Sequence, residues 1–381
     1  MHVGIVGGGV HGAALAYYLR RGGADRVTLY EADSIAAGAT GRSAGIVRFH
    51  YAHPTHVELV RQSANVLENF DEHIGGDSGF HRSGYLALYP PDDTATLREV
   101  VEVQRATGVD VTLLEPEELE AQFPAINAAG VGLAAHEPHG GYADPYLVAT
   151  GYARAARRLG AVIKTQTPVL DLEREGARIV AIKTDDGREP VDFVVNAAGA
   201  AGDDVAAMAG VSVPLRLRES KVVTLSADRA YDLPVISDYS MEPDTYVKPE
   251  PSGDFAVGGI DRPWLDGDSL EGVTEPFLLE VGDRLNRRLS GFADASVVDS
   301  WSGRIAVTPD SNPVIGVPRN LENFFNIVGG SGHGFKTAPA VAESAAAMIL
   351  DDEPSVDLSR YQLERFNTGD ELTGISSKTY N

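Results

Sequence analysis

The most constraining stretch of this chain is His2 to Ala32. A short apolar run holding Val3, Ile5 and Val6 breaks into Gly7-x-Gly9-x-x-Gly12, and a helical pattern follows through Ala13, Leu15, Ala16 and Leu19. Val27 and Leu29 then mark a second strand that closes on Glu31 and Ala32. Strand, glycine turn, helix, strand and acid is the order of a dinucleotide-binding unit. Gly7 turns the chain off the strand, Gly9 leaves the backbone bare for a pyrophosphate, and Gly12 lets the helix approach the sheet. The N–H groups at the helix start, at Val10 and His11, face the phosphates. Glu31 stands about twenty residues after the third glycine, where a carboxylate accepts hydrogen bonds from ribose hydroxyls. Alone, the unit admits NAD and FAD equally.

A chain of 381 residues has the length for two domains. Its apolar runs are too short to span a bilayer, which needs about 18 residues. The motif starts at residue 2, leaving no room for a signal peptide, so the cytosol is the expected compartment. There is no cysteine, which excludes disulfides, cysteine-ligated clusters, a thiol nucleophile and a flavin attached through sulfur. The formal charge of −23 argues against nucleic acid or an anionic membrane as partner. It suits a densely solvated acidic surface of the kind adapted to high salt.

Further along, Gly38-Ala-Thr40-Gly-Arg42-Ser43-Ala44-Gly45 is dense in small and hydroxylated residues, as a loop lying against a ligand would be. Arg48 follows in an otherwise apolar setting, with His50 and Tyr51 close behind. Periodicity predicts helices over 55–70 and 94–107 and a strand within 80–90. Asp144-Pro145 marks a helix start that runs to Leu159. Strand, hairpin at Asp185-Asp186-Gly187 and strand follow, ending in Asn196-Ala-Ala198-Gly199. Residues 215–300 have the texture of an antiparallel sheet with one helix, at 276–289. The last segment returns to the pattern of the opening one, with a buried strand at 324–328, the loop Gly329-Gly330-Ser-Gly332-His333-Gly334, and then an alanine-rich helix expected over 338–350. His136 and His139 lack metal-ligand spacing and read as ordinary surface or turn residues.

With these segments in place, the chain resembles the FAD-dependent amino-acid oxidase family, which includes glycine oxidase, sarcosine oxidase, dimethylglycine dehydrogenase and D-amino-acid oxidase relatives. The resemblance is carried by the first glycine motif with Glu31, the loop at 38–45, Gly141-Tyr-Ala-Asp-Pro145, Val194-Val-Asn-Ala-Ala-Gly199, Thr308-Pro-Asp310 and Gly332-His-Gly334-Phe335-Lys336. It implies an α/β chain: a Rossmann-like FAD-binding domain from residues 1–82, 142–214 and 297–381, and an α+β substrate domain with an antiparallel sheet from 83–141 and 215–296. It further implies that Gly7, Gly9 and Gly12 hold the pyrophosphate and Glu31 the adenosine ribose. Arg42 and Ser43 lie near the phosphates or ring, Val169 meets the adenine, Gly199 flanks the pyrophosphate, and residues 332–336 reach the pyrimidine end of the flavin.

The implied chemistry is hydride transfer from a substrate α-carbon to flavin N5, with the resulting imine hydrolysed by water. A substrate carboxylate needs a cationic partner, and Arg48 and Lys336 match two sarcosine-oxidase positions with that role. Tyr246, Lys248, His50, Tyr51 and His333 are further candidates to line the site. Three departures qualify the resemblance. Some relatives attach flavin through a Cys or a His; here there is no Cys and Arg42 stands at the His position, so non-covalent FAD is expected. The oxygen-activating Lys of monomeric sarcosine oxidases matches Ala256. The carboxylate-binding Arg of glycine oxidases matches Glu250. The expected partners are therefore a small carboxylate-bearing substrate and oxygen or another electron acceptor. A 2-hydroxy acid substrate, or a flavin subunit relaying electrons to a partner, are the alternatives; the oligomeric state is undetermined.

Overall fold

The computed structural model describes residues 1–226, 232–260, 262–267, 269–292 and 294–372. Its first layer is a six-stranded sheet in the order Val314–Gly316, Phe324–Val328, Phe193–Asn196, His2–Val6, Arg26–Tyr30, Val162–Lys164. Every neighbouring pair is parallel except the first, which is antiparallel. The alternation of the first strand explains the layering. Val3 and Ile5 point to a core shared with the helices Val10–Arg21, Pro54–Glu68, Pro145–Arg158 and Gly334–Ile349, while Val6 points to the opposite core. On that second face lies a three-stranded sheet of Asp171–Glu175, Arg178–Thr184 and Gly187–Pro190. The two sheets approach so closely that a Cβ at Gly4 would lie 2.4 Å from Ile182 Cδ1.

The second body is an eight-stranded sheet: Ser296–Val307, Arg216–Ser226, Phe255–Gly258, Thr245–Pro249, Val235–Asp238, Tyr85–Tyr89, Leu133–Glu137, Thr112–Leu114. It is antiparallel throughout except where Val235–Asp238 runs parallel to Tyr85–Tyr89. That pair joins the two chain segments expected to build the substrate domain, so no hairpin dictates its direction. The helix Glu275–Arg288 covers one face through Phe277, Val281 and Leu285, against Val223, Ile236, Val247 and Val257. The sheet also extends past residue 296, where the sequence suggests a return to the first domain. Ser296–Val307 pairs with Arg216–Ser226 along its whole length and only then does the chain cross back. Residues 373–381, expected in the FAD-binding part, lie outside the described residues.

The long helix of the last segment begins at Gly334 and contains Pro339 in its interior. The helix expected over 338–350 thus starts four residues earlier than its alanine-rich stretch. Proline removes one ladder hydrogen bond, and Ala340 N–H bonds instead to Ser63 Oγ of the helix Pro54–Glu68 at 3.1 Å. The described residues include no helix long and apolar enough to cross a membrane.

Candidate active site

One cavity of about 810 Å³ lies between the two bodies. Its walls come from the first glycine turn, the loop at 37–46, the turn at 197–201, the loop at 329–337 and the facing strands of the large sheet.

The first glycine motif is fixed by close packing. Gly7 has φ +110°, and a Cβ there would sit 2.4 Å from Ala197 O. A Cβ at Gly12 would sit 2.0 Å from Gly7 O, so Gly12 lets the helix press on its own turn and does not itself line the cavity. Gly9 is the N-cap of that helix and has no side-chain cap of its own. Thr40, from the second loop, supplies the missing acceptor: its Oγ1 takes the Val10 N–H at 3.0 Å. Glu31 lines the cavity, and its carboxylate also accepts from Gly8 N–H at 2.6 Å and Asp33 N–H at 2.8 Å, fastening the glycine turn. The two glycine-rich loops meet where a Cβ at Gly334 would lie 3.0 Å from His11 Cε1. Burial lowers the His11 imidazole to about 4.

Gly7, Gly9, Val10, His11, Glu31, Ala32, Gly38, Thr40, Arg42, Ser43, Ala44, Val169, Ala198, Gly199, Gly330, Gly332, His333, Gly334, Phe335 and Lys336 all line this one cavity. Positions where a Cβ would meet nothing within 4 Å, at Gly38 and at Gly199 with φ +59°, leave the cradle open. The helix Gly334–Ile349, like the first, enters the site without a side-chain cap. Two helix N-termini and bare glycine backbone on a long cleft match an elongated ligand carrying a pyrophosphate, and the residues fit FAD.

The cavity wall also carries two buried basic side chains. Arg48 is 7 % exposed and Lys336 5 %, and both line the wall. The Arg48 guanidinium donates to His50 O, lies 3.5 Å from His333 Nδ1 and stacks 4.5 Å over the Tyr51 ring. The Tyr51 hydroxyl is 3.0 Å from the same His333 nitrogen. Burial, reinforced by Arg48, pushes the Lys336 ammonium well below its ordinary value. Burial and then the charges of Lys336 and Arg48 hold His333 well below its ordinary value too. A buried guanidinium with a lysine beside it held back from its charge favours an anion between them.

Not every candidate reaches the cavity. His50 is fully buried outside it, with Nε2 3.0 Å from Tyr89 Oη and Nδ1 3.5 Å from Glu137 Oε1. Lys248 also turns away, pairing with Glu250 at 2.8 Å. Ala256 is fully buried in its strand and off the wall. Tyr246 does line the cavity, its ring lying over Gly258, where a Cβ would be 2.5 Å from the hydroxyl. Residues that the motifs do not reveal also line the wall: His56, Ser237, Tyr239, Asp244, Arg262 and Arg304. Their signal is structural, since strand pairing and loop closure bring them there. The glycine pair before Arg262, with Gly259 at φ +95°, is the one local hint of a turn into a site. No group of side chains with metal-binding composition occurs among the described residues.

A dinucleotide sheet and a large second sheet that enclose one cleft, with basic side chains on its wall, define a two-part nucleotide-binding protein. The chain belongs to the family of FAD dependent oxidoreductases, whose model matches residues 2–348. It is 31 % identical to FAD-dependent oxidoreductase domain-containing protein 1 of Bos taurus, over 96 % of this chain and 85 % of that one. It is 28 % identical to sarcosine oxidase subunit beta of Arthrobacter sp, over 96 % and 91 %. Among solved structures, L-proline dehydrogenase from P. horikoshii superposes with a TM-score of 0.90 at 28 % identity, covering 97 % of this chain and 98 % of that one. FAD is therefore the cofactor, and substrates of amino-acid type are the class on which the family acts.

Proposed function

We propose that this enzyme oxidises the C–N bond of a small N-substituted amino acid, holding non-covalent FAD along the cleft. The observation that carries the reading is the convergence of Arg48 and Lys336 around His333 on the wall of one cavity. Sarcosine and L-proline, named by two of the relatives, are both secondary amines one carbon from a carboxylate. Arg48 and Lys336 receive that carboxylate, Arg48 through its planar fork. The Tyr51 ring under the guanidinium and the His50 carbonyl fix the fork's direction. Arrival of a carboxylate restores the charge of Lys336, so substrate binding draws a proton onto its amine. Bound FAD supplies the two-electron acceptor for a hydride leaving the α-carbon. The protein positions that carbon and excludes water around it, because Arg48, His56, His333 and Lys336 are all nearly sealed from solvent.

Arg48→Ala tests the reading. Loss of a charge-assisted hydrogen bond costs about 1.5–3 kcal/mol, or roughly 10- to 100-fold in apparent KM. The variant should show that rise while keeping the yellow colour of bound FAD. Anaerobic bleaching across N-methyl amino acids, primary amino acids and hydroxy acids then identifies the substrate class. Unchanged KM in Arg48→Ala, or bleaching by hydroxy acids alone, would overturn it.

A further inference from the structure

The amine of such a substrate also needs a partner, and the cavity offers one that no motif marks. Four carboxylates line the wall among the described residues: Glu31, Asp33, Asp204 and Asp244. The first three belong to the loops and helix of the nucleotide-binding part. Asp244 alone comes from the large sheet, just before the strand Thr245–Pro249 that carries Tyr246. It lies near the basic pair: the charge of Arg48 acts on Asp244, and that of Arg262, the partner of Asp244, acts on His333. We propose that Asp244 is the amine-recognition group of this enzyme, binding the substrate ammonium opposite Arg48 and Lys336 and accepting its proton. The proposal rests on the amino-acid reading above.

The loop carrying Asp244 is held in place before any ligand arrives. Arg262, 9 % exposed, donates to the Asp244 carboxylate, and its Nε donates to Gly259 O at 2.6 Å. From the outer side Arg284 donates to Pro243 O, to Glu242 O at 3.0 Å and to Thr245 Oγ1 at 3.0 Å. Glu280 in turn holds Arg284 at 2.6 Å. The backbone of Gly259 packs so closely that a Cβ there would sit 2.9 Å from Asp244 O. A site fixed by buried arginines on both sides loses little entropy when the ligand binds. The side chain of Asp244 remains 24 % exposed on a residue lining the cavity.

The transfer is balanced within the site. An N–H bond of the ammonium breaks and an O–H bond forms on Asp244, so the amine nitrogen regains the lone pair needed for a developing C=N bond. No electrons leave the pair of reactants. Burial raises the Asp244 carboxyl above its usual value despite the opposing pull of Arg262, which favours it as an acceptor. A carboxylate here also distinguishes amines from hydroxy acids of the same shape.

The test uses oxidised holoenzyme and two ligands without an α-hydrogen, read by the change in the flavin visible spectrum. One is 2-aminoisobutyrate, which has no hydrogen on the carbon bonded to nitrogen; the other is its carbon isostere 2,2-dimethylpropanoate, in which a methyl replaces the ammonium. Wild type should bind the amino ligand about tenfold tighter or more, the size of one charge-assisted contact. Asp244→Asn should bring the two affinities together and leave the isostere's within about threefold of wild type. Arg262→Gln should keep or increase the preference, because it frees the carboxylate, whereas a merely structural ion pair would be damaged equally by loss of either member. A wild-type preference near one, an unchanged preference in Asp244→Asn, or its loss in Arg262→Gln overturns the proposal. The wild-type and Arg262→Gln arms decide it even where Asp244→Asn fails to retain FAD. If neither ligand perturbs the wild-type spectrum, the amino-acid reading falls as well; binding of the isostere without amine preference sinks the Asp244 assignment alone.

Discussion

His56 shows how one side chain couples the site to the stability of the chain. It lines the cavity, is 2 % exposed, and its Nδ1 lies 3.2 Å from Tyr361 Oη. Burial, with Lys336 and Arg48 adding to it, lowers its imidazole to about 3. The unfolded chain binds a proton on this residue below about pH 6.5, and the folded chain refuses it until about pH 3. Stability contributed by the neutral ring is therefore present above pH 6.5 and lost as pH falls towards 3. Wild type should lose about 1.5 kcal/mol more than His56→Gln between pH 6.5 and 5. Urea unfolding at the two pH values checks it, and equal losses would show that His56 is not kept neutral. At this scale the sequence was legible where chemistry is local. The spacing of Gly7, Gly9 and Gly12 states its own purpose, and Arg48 is conspicuous beside apolar neighbours. His50 has the same neighbours as Arg48, yet Tyr89 and Glu137, both distant in sequence, draw it away from the cavity. Asp244 and Arg262 were illegible for the converse reason, since each acquires its position from a pairing across the sheet.

Among the elements, the first helix depends on another segment for its start. Gly9 offers the backbone a close approach to a ligand and no cap, and Thr40 provides the acceptor for Val10 N–H from across the cavity mouth. A missing cap costs about 1 kcal/mol. Thr40→Val should destabilise the FAD-free protein by about that amount in denaturant unfolding, with Thr40→Ser restoring it. A Thr40→Val protein as stable as wild type would show that the cap contributes nothing. Helix ends of the ordinary kind were readable beforehand: Asp144 caps Pro145–Arg158, its Oδ1 accepting from Tyr146 N–H at 2.8 Å and Leu147 N–H at 3.0 Å. The start at Gly334 is not legible in the same way, because the stretch before Ala338 is glycine-rich and Pro339 lies in the helix interior, next to an Ala340 N–H that bonds to Ser63 on a packed neighbour. The strand Val235–Asp238 is not legible in the sequence, because it pairs with Tyr85–Tyr89, a partner that no turn signal connects to it.

The cleft is where the whole molecule depends on its ligand. Its walls belong to chain regions as far apart as residues 7–44, 197–201 and 329–337, and the first two contribute glycine backbone with an open side, at Gly38 and Gly199. A ligand that touches all three binds the folded chain and not the unfolded one, so its binding free energy adds to folding stability. Free FAD at about 100 times its Kd adds about 2.7 kcal/mol. For a chain of this size that corresponds to a rise in Tm of a few degrees. The apo-protein should therefore melt lower than the holoenzyme, and its Tm should climb steadily as FAD is added. Covalent attachment makes the opposite prediction, because a tethered flavin neither leaves nor responds to the free concentration. The sequence has no cysteine, and the loop at 38–45 holds Arg42 and no histidine. The Arg42 side chain donates to Ala37 O, which holds it within the loop. Heat or acid denaturation followed by filtration should leave all yellow colour in the filtrate. Colour retained on the unfolded chain, or a Tm that ignores added FAD, would overturn the non-covalent reading and require a different account of how the three regions are held together.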